Sequence, residues 1–485
     1  MRLSRDAFLW DIPPAPYRLV RELSEGLGVS EVVAQALVRR GYTSVAAARA
    51  CLDPPDTLHD PFLMAGMAAA RERIDRAVRR GERIAVHGDY DADGITATFL
   101  LTHFLRQRLG AEVVWRLPNR FVEGYGLSAE AVDAFAADGV SLLVTVDCGI
   151  TAVDEVARAR AAGIDVVVTD HHVPEGPLPD AVVVSPRLGS YPCPDLAGVG
   201  VAFKLCQALL QDPPSRPPRR GAQVPFPGVL REYADVVAVG TVADVVPLLD
   251  ENRVLVRHGL ARLRGAPRPG LAALLEVSGT RRETADAGAV AYRLAPRLNA
   301  AGRLEDAAVS LELLACDDAA EARRLARRLD ALNRERQAVE ERVRQAAEAM
   351  VPGDRLPAAL VLSSPDWHEG VVGIVAGRLA ERFHRPVILL CEDGDEAKGS
   401  GRSIPGFDLL GGVERCAGHL LAFGGHRAAC GLRLRRERIA AFRRDFVAHA
   451  AAALGADGLR RRRLVDAVAG VCDLGLPLVD ELEAL

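Results

Sequence analysis

The sequence predicts an α/β protein: a parallel sheet covered by helices on both faces, followed by a second, smaller α/β unit. Three observations carry this. From Ile84 to Val184, short Val/Ile/Leu runs alternate with helical stretches, the pattern of strands buried on both faces. A new strand-helix-strand pattern starts at Ala358. Between them, residues 318–349 hold no Pro or Gly and keep helical apolar spacing through Leu325, Leu329, Leu332, Val339 and Val343, which predicts one long charged helix, either packed on a core with a solvated face or joining the two units.

Residues 1–60 read as a helical lead-in: helical spacing runs through Val32, Ala36, Leu37 and Val38, and Pro54 and Pro55 end it. A helix is expected over Met67–Arg80 with its basic face outward. The strands expected next are IAVHG, EVVWRLP, LLVTVD, VVVTD and AVVVSP, with helices at Ile95–Leu109, Ala129–Asp138 and Val153–Ala162. The Pro/Arg-rich stretch 211–228 reads as a flexible surface loop, and residues 233–315 as mostly helical. In the second unit AALVLSS, PVILLCE and KGSGRS are strands and Val371–Phe383 a helix, and LVDAVAGV near the C-terminus is strand-like. The expected domains are therefore 1–60, 61–317, 318–350, 351–456 and 457–485.

At 485 residues the chain is too long for one core. Its 49% hydrophobic and 26% charged residues suit a soluble globular protein, and a net charge of −4 neither announces nor excludes a nucleic-acid partner. Nine cysteines without a CxxC pair speak against a disulfide framework or zinc ribbon, and Cys148 and Cys430 read as buried small hydrophobes. With no long apolar run and no signal-peptide layout, the expectation is a cytoplasmic protein without a membrane partner.

Ligands of parallel sheets bind beyond the carboxyl ends of the strands, and the polar clusters fall there. Asp89, Asp91 and Asp93 follow the first strand, Asp147 the third, and Asp170, His171 and His172 the fourth. Three carboxylates on one tight turn repel each other and call for a positive partner, most simply a divalent metal. Carboxylates with imidazole suit Mn²⁺ or Mg²⁺, and several shared carboxylates suit two ions arranged for in-line phosphoester hydrolysis. Adjacent histidines at a strand end are expected to point in different directions, so that only one faces a given metal.

GDYDADG (88–94), VDCG (146–149) and TDHH (169–172) resemble the first motifs of the DHH phosphoesterase superfamily. PNRFVEGYGL, LAGVGVAFKL, DVVAVGTVADVVPL, PRLNAAGR, WHEGVVGIVAGRLAER, GSGRSIPGFDL and GGHRAACG, in that order, resemble the RecJ family of 5′ to 3′ single-stranded-DNA exonucleases within it. The resemblance implies a DHH catalytic domain, a connecting helix, a DHH-associated domain and a partial oligonucleotide-binding-fold segment at the C-terminus. It implies Asp91, Asp93, Asp147, His171 and Asp235 as ligands to two Mn²⁺ or Mg²⁺ ions, with Asp147 bridging. Asp89 and His87 are further candidates, and Asp244 is the alternative to Asp235, expected as a helix cap or supporting residue. His172 is expected to face the scissile phosphate.

By the same resemblance, Arg120, Arg297, Asn299 and Arg303 contact the substrate, and so do Ser400, Arg402, Ser403, Gly424, Gly425 and His426 of the second unit. Guanidinium and glycine-exposed backbone both suit phosphate oxygens. The second unit is expected opposite the metals across a cleft for one strand. The implied activity is release of 5′-mononucleotides in repair and recombination, by a monomer whose partners are single-stranded DNA, a single-strand-binding protein and a helicase. Two alternatives stand beside it: a short-oligonucleotide or cyclic-dinucleotide phosphodiesterase of the same superfamily, and a non-enzymatic replication scaffold.

Overall fold

The computed structural model describes residues 8–485 except 175, 217, 354, 355 and 484, so the first seven residues of the expected lead-in lie outside the described residues. The chain divides into two compact units, one of residues 50–333 and one of residues 1–49 with 334–485.

The first unit is built on a five-stranded, all-parallel sheet. Its strands run in the order Val113–Arg116, Ile84–His87, Leu142–Val146, Asp165–Thr169, Val182–Val184. All five expected strands are present. The three central ones are almost wholly buried, as continuous apolar runs require when helices cover both faces. Helices Ala92–Leu109 and Gly198–Leu209 lie on one side and pack with Ala234–Ala243 into the main core. Helices Ala129–Ala137 and Val153–Ala161 close the other side around Leu143, Val156 and Val168. The helix expected to start at Ile95 begins at Ala92, because the Asp91 carboxylate caps it by accepting from the amides of Asp93 (2.9 Å) and Gly94 (3.1 Å).

Two expectations need correction. The helix Met67–Arg80 does not carry its whole basic face outward: Arg73 is buried, bonding Glu82 (2.6 Å) and Asp165 (2.5 Å), which satisfy its charge. The 211–228 stretch is not all loop, since Gln223–Pro225 pairs antiparallel with Thr57–His59.

In the second unit, strands Leu420–His426, Ala429–Arg435, Glu396–Arg402, Val387–Asp393 and Leu360–Ser364 form a mixed sheet in that order, only the last pair being parallel. Helices Glu369–Phe383 and Ile439–Gly458 cover it. Cys430 is buried here, as Cys148 is in the first unit. Phe8–Asp11 pairs in parallel with Arg461–Leu464. The C-terminal strand therefore lies earlier than LVDAVAGV, its length set by a four-residue partner. The long charged helix spans Ala319–Ala349. No helix among the described residues is long and apolar enough to cross a membrane.

One buried network braces the first unit. Lys204, fully buried, donates to Glu251 Oε1 (2.9 Å). Glu251 also accepts from the His59 amide (2.9 Å) and the Tyr191 hydroxyl (2.6 Å). Removing one partner of such a pair strands a charge in the interior. Lys204→Met is expected to destabilise this unit by about 3–5 kcal/mol, read from its urea unfolding transition; a loss within experimental error would show that the network bears no load.

Candidate metal centre

The carboxyl ends of the central strands converge on one cluster. Three overlapping groups have ligand atoms within 4.8 Å of one another: Asp93, His171 and Asp244; Asp89, Asp91 and Asp147; and Asp147, His171 and His172. His171 Nε2 lies 3.1 Å from Asp147 Oδ1 and 3.7 Å from Asp244 Oδ2.

Each side chain is placed by local backbone chemistry. Asp93 is aimed inward because its carboxylate accepts from the amides of Gly198 (2.6 Å) and Val199 (2.9 Å), the first residues of a buried helix. Gly198 must be glycine, since a Cβ there would fall 2.5 Å from the Asp147 side chain. Asp147 has a left-handed backbone, φ 60°, a conformation that costs a non-glycine residue energy and that collects at functional sites. Asp170 is buried and gathers the loop after the fourth strand. It accepts from the amides of His171 (2.7 Å), His172 (3.1 Å) and Ile150 (3.0 Å), and from His172 Nδ1 (2.7 Å).

The two histidines do not diverge as strand alternation predicts. They lie beyond the strand end at Thr169, in a loop held by Asp170, and both come within reach of Asp147. Tyr125 joins them, its hydroxyl 3.3 Å from His172 Nδ1 and from the Asp147 carbonyl.

Electrostatics mark the cluster as under strain. Burial, then the charges of neighbouring aspartates, pushes the carboxyls of Asp89, Asp93 and Asp147 well above the usual carboxylate range. Burial and Asp91 push Asp244 up to about 7. Burial lowers His171 to about 4, which keeps its imidazole neutral and able to ligate. Burial also disfavours charge on His172, but the Asp170 hydrogen bond and charge outweigh it and raise His172 to about 9.

The residues present fit a divalent metal centre. Asp89 Oδ1 is buried with no hydrogen-bond partner, and Asp147 Oδ1 and His171 Nε2, although 3.1 Å apart, form no hydrogen bond with each other or with another group, an arrangement native proteins avoid unless something else binds there. The donors are oxygen-rich with one neutral imidazole, the set that Mn²⁺ or Mg²⁺ takes.

Two expected ligands are not brought to this cluster. Asp235 is fully buried near the start of helix Ala234–Ala243. Its carboxylate accepts from the Arg268 amide (3.1 Å) and lies 3.6 Å from the guanidinium groups of both Arg262 and Arg268. The far end of that helix brings Asp244 to the cluster instead. His87 is buried within its strand, and its Nε2 donates to the Gly126 carbonyl (3.1 Å).

The phosphate candidates divide in the same way. Arg120 stacks over Tyr90 at 4.1 Å, and Tyr90 packs edge-on against Tyr125. Arg297 is taken up by Asp330 (2.9 Å) and the Arg293 carbonyl (2.6 Å), and Asn299 accepts from the Ala92 amide (2.7 Å), supporting the acidic turn. Arg303 ends the same helix, Ala295–Leu304. In the second unit Arg402 donates to Ser400 Oγ (2.9 Å), while Ser403 donates to the Phe407 carbonyl (2.8 Å). Gly424, Gly425 and His426 end one strand of a hairpin, and Gly425 has φ 138°. Tyr125 stands inside the PNRFVEGYGL motif but carries no pattern in the sequence that marks it, whereas Asp170 is marked by its place beside two histidines at a strand end.

The raised carboxyls set the sign of a pH effect. Protonated carboxyls must release protons before they ligate, so Mn²⁺ affinity is expected to fall by about tenfold per pH unit for each proton displaced below pH 7. Asp244→Asn should flatten this slope. Calorimetric Mn²⁺ titrations between pH 6 and 8 check both; equal slopes would remove Asp244 from the titrating set.

Comparison with known proteins agrees with these motifs. The model of the DHH family, N-terminal domain, matches residues 83–241, and the DHHA1 domain matches residues 356–452. The single-stranded-DNA-specific exonuclease RecJ of Bacillus subtilis is 41% identical over 98% of this chain, which spans 59% of that protein's length. RecJ of Dickeya dadantii is 46% identical over 80% of this chain and 70% of its own length, and RecJ of Escherichia coli is 44% identical over 79% and 69%. The crystal structure of RecJ in complex with Mn²⁺ from Thermus thermophilus superposes with a TM-score of 0.85 at 36% identity, covering 99% of this chain and 68% of that one. With this level of identity over more than two thirds of two relatives, the chain belongs to the RecJ family of DHH phosphoesterases.

Proposed function

We infer that this chain is a metal-dependent exonuclease that degrades single-stranded DNA from the 5′ end to 5′-mononucleotides, in DNA repair and recombination. The observation that carries the reading is a chain of overlapping groups: Asp89 and Asp91 with Asp147, Asp147 with His171 and His172, and His171 with Asp93 and Asp244. Two divalent ions held there would supply charge neutralisation and an activated water for in-line attack at a phosphodiester.

The chain's own residues do the rest. Asp147, shared by two of the groups, would serve both ions. Asp93, fixed by the Gly198 and Val199 amides, and Asp244 complete the His171 side. His172, held protonated by Asp170, offers a charged N–H to a phosphate oxygen or to the departing oxygen. The Tyr125 hydroxyl also lies against the ring, 3.3 Å from Nδ1. Arg120, stacked on Tyr90 and so limited in its rotamers, is suited to grip a terminal phosphate. Arg402, anchored by Ser400 and the Gly401 carbonyl, offers a second guanidinium. Arg303, Ser403, Gly424, Gly425 and His426 complete the proposed phosphate contacts. The proposal includes a cytoplasmic monomer that receives its strand from a helicase and a single-strand-binding protein.

Product analysis on 5′- and 3′-labelled single strands with Mn²⁺ tests the reading. Mononucleotides from the 5′ end are expected; an intact fifty-nucleotide strand beside a cleaved dinucleotide would replace it with a short-oligonucleotide phosphodiesterase. Asp147→Ala and Asp244→Ala should each lower kcat by at least about a hundredfold while DNA binding persists; turnover equal to wild type removes the residue from the mechanism.

Arg402→Ala should weaken single-strand binding and reduce the slope of log affinity against log salt by about 0.7, measured by fluorescence anisotropy. An unchanged slope counts against a phosphate contact.

A further inference from the structure

Asp93 and Asp244 reach His171 from two segments that are distant in sequence. Asp93 is fixed by the amides of Gly198 and Val199, at the end of the segment that begins at Asp195. Asp244 closes a helix and is followed by Val245, which has φ 62° and is 85% exposed. A β-branched residue in the left-handed region is strained, and an exposed side chain has no packing to hold it there. The flanking Val246 and Leu248 pack against the core, and a buried polar contact ties the turn as well.

Asn252 supplies that contact. It lies fully buried on helix Asp250–Gly265, and its Nδ2 donates to the carbonyls of Asp195 (2.7 Å) and Pro247 (3.0 Å). One carboxamide therefore ties the segment leading to the Asp93-binding amides to the segment leaving Asp244. Its Oδ1 has no partner, so donation is the whole of its polar role. The preceding Glu251 is locked by Lys204 and Tyr191, which fixes the base from which Asn252 reaches.

We propose that Asn252 is a positioning residue: its carboxamide sets the spacing of Asp93 and Asp244 by holding the strained turn at Val245 against the Asp195–Gly198 segment. It touches neither carboxylate. The inference rests on the cluster being a metal site, and metal uptake without DNA tests it separately from nuclease activity.

The test is Mn²⁺ calorimetry on the full chain, with thermal melts of the metal-free protein, for wild type, Asn252→Ala, Asn252→Ser, Val245→Gly and the Asn252→Ala/Val245→Gly pair. Asn252→Ala is expected to weaken Mn²⁺ binding by about tenfold or more, the usual effect of losing a partner that orients ligands. Val245→Gly should bind nearly as wild type, because glycine adopts the left-handed backbone without strain. The double variant should recover most of the lost affinity, since a turn that is no longer strained needs no clamp. A residue with only a general packing role would lower the melting temperature without this rescue. Wild-type affinity in Asn252→Ala, or a double variant as weak as the single one, overturns the proposal. If Asn252→Ala does not fold, Asn252→Ser, which keeps a small polar side chain but is one bond too short to donate to both carbonyls, reads the same outcomes. A wild-type chain that takes up no Mn²⁺ overturns the metal reading and this one together.

Discussion

Like charges forced together in a dry pocket are the constraint on which the first unit depends. Asp89, Asp93, Asp147 and Asp244 are gathered around His171 and Asp91, and burial and mutual repulsion push all four carboxyls up. Water would disperse such charge, so the fold must hold the groups against their own repulsion. It does so with backbone amides, a helix cap, a left-handed residue and close-packed glycine, each a fixed dipole or a steric stop rather than a flexible counterion.

The same constraint explains why two neighbouring histidines have different jobs. His171 faces carboxylates that await a cation and stays neutral. His172 faces Asp170, whose other partners are backbone amides, and is held charged. Two adjacent imidazoles, separated by a single peptide bond, are thus pushed toward opposite protonation states, one suited to ligate and the other to donate as a cation.

The parallel sheet was legible in the sequence because fully buried strands leave continuous apolar runs, and the acid cluster because its members stand at strand ends. Asp235 was misread for a physical reason. Helix Ala234–Ala243 is buried on all sides, so an acid at either end has the same apolar surroundings, and periodicity cannot tell the end facing two arginines from the end facing the cluster. Arg268, the deciding partner, lies far along the chain from Asp235. The inward turn of Arg73 on helix Met67–Arg80 was out of reach likewise, because its partners Glu82 and Asp165 belong to other segments. The His171–His172 pair escaped the alternation rule because strand geometry stops at Thr169. Local pattern thus reported burial and element ends, while partners supplied by long-range packing stayed out of its reach.

The acids of the cluster come from stretches as far apart as the Asp89–Asp93 turn and the helix end at Asp244. Any ion that joins them acts as a staple across the domain, closing a long loop of chain. A free metal concentration a hundred times the dissociation constant would add about 2.7 kcal/mol to the stability of the folded state. Metal supply would then bear on the lifetime of the folded state: a metal-free molecule would open more often and be cut more readily by proteases.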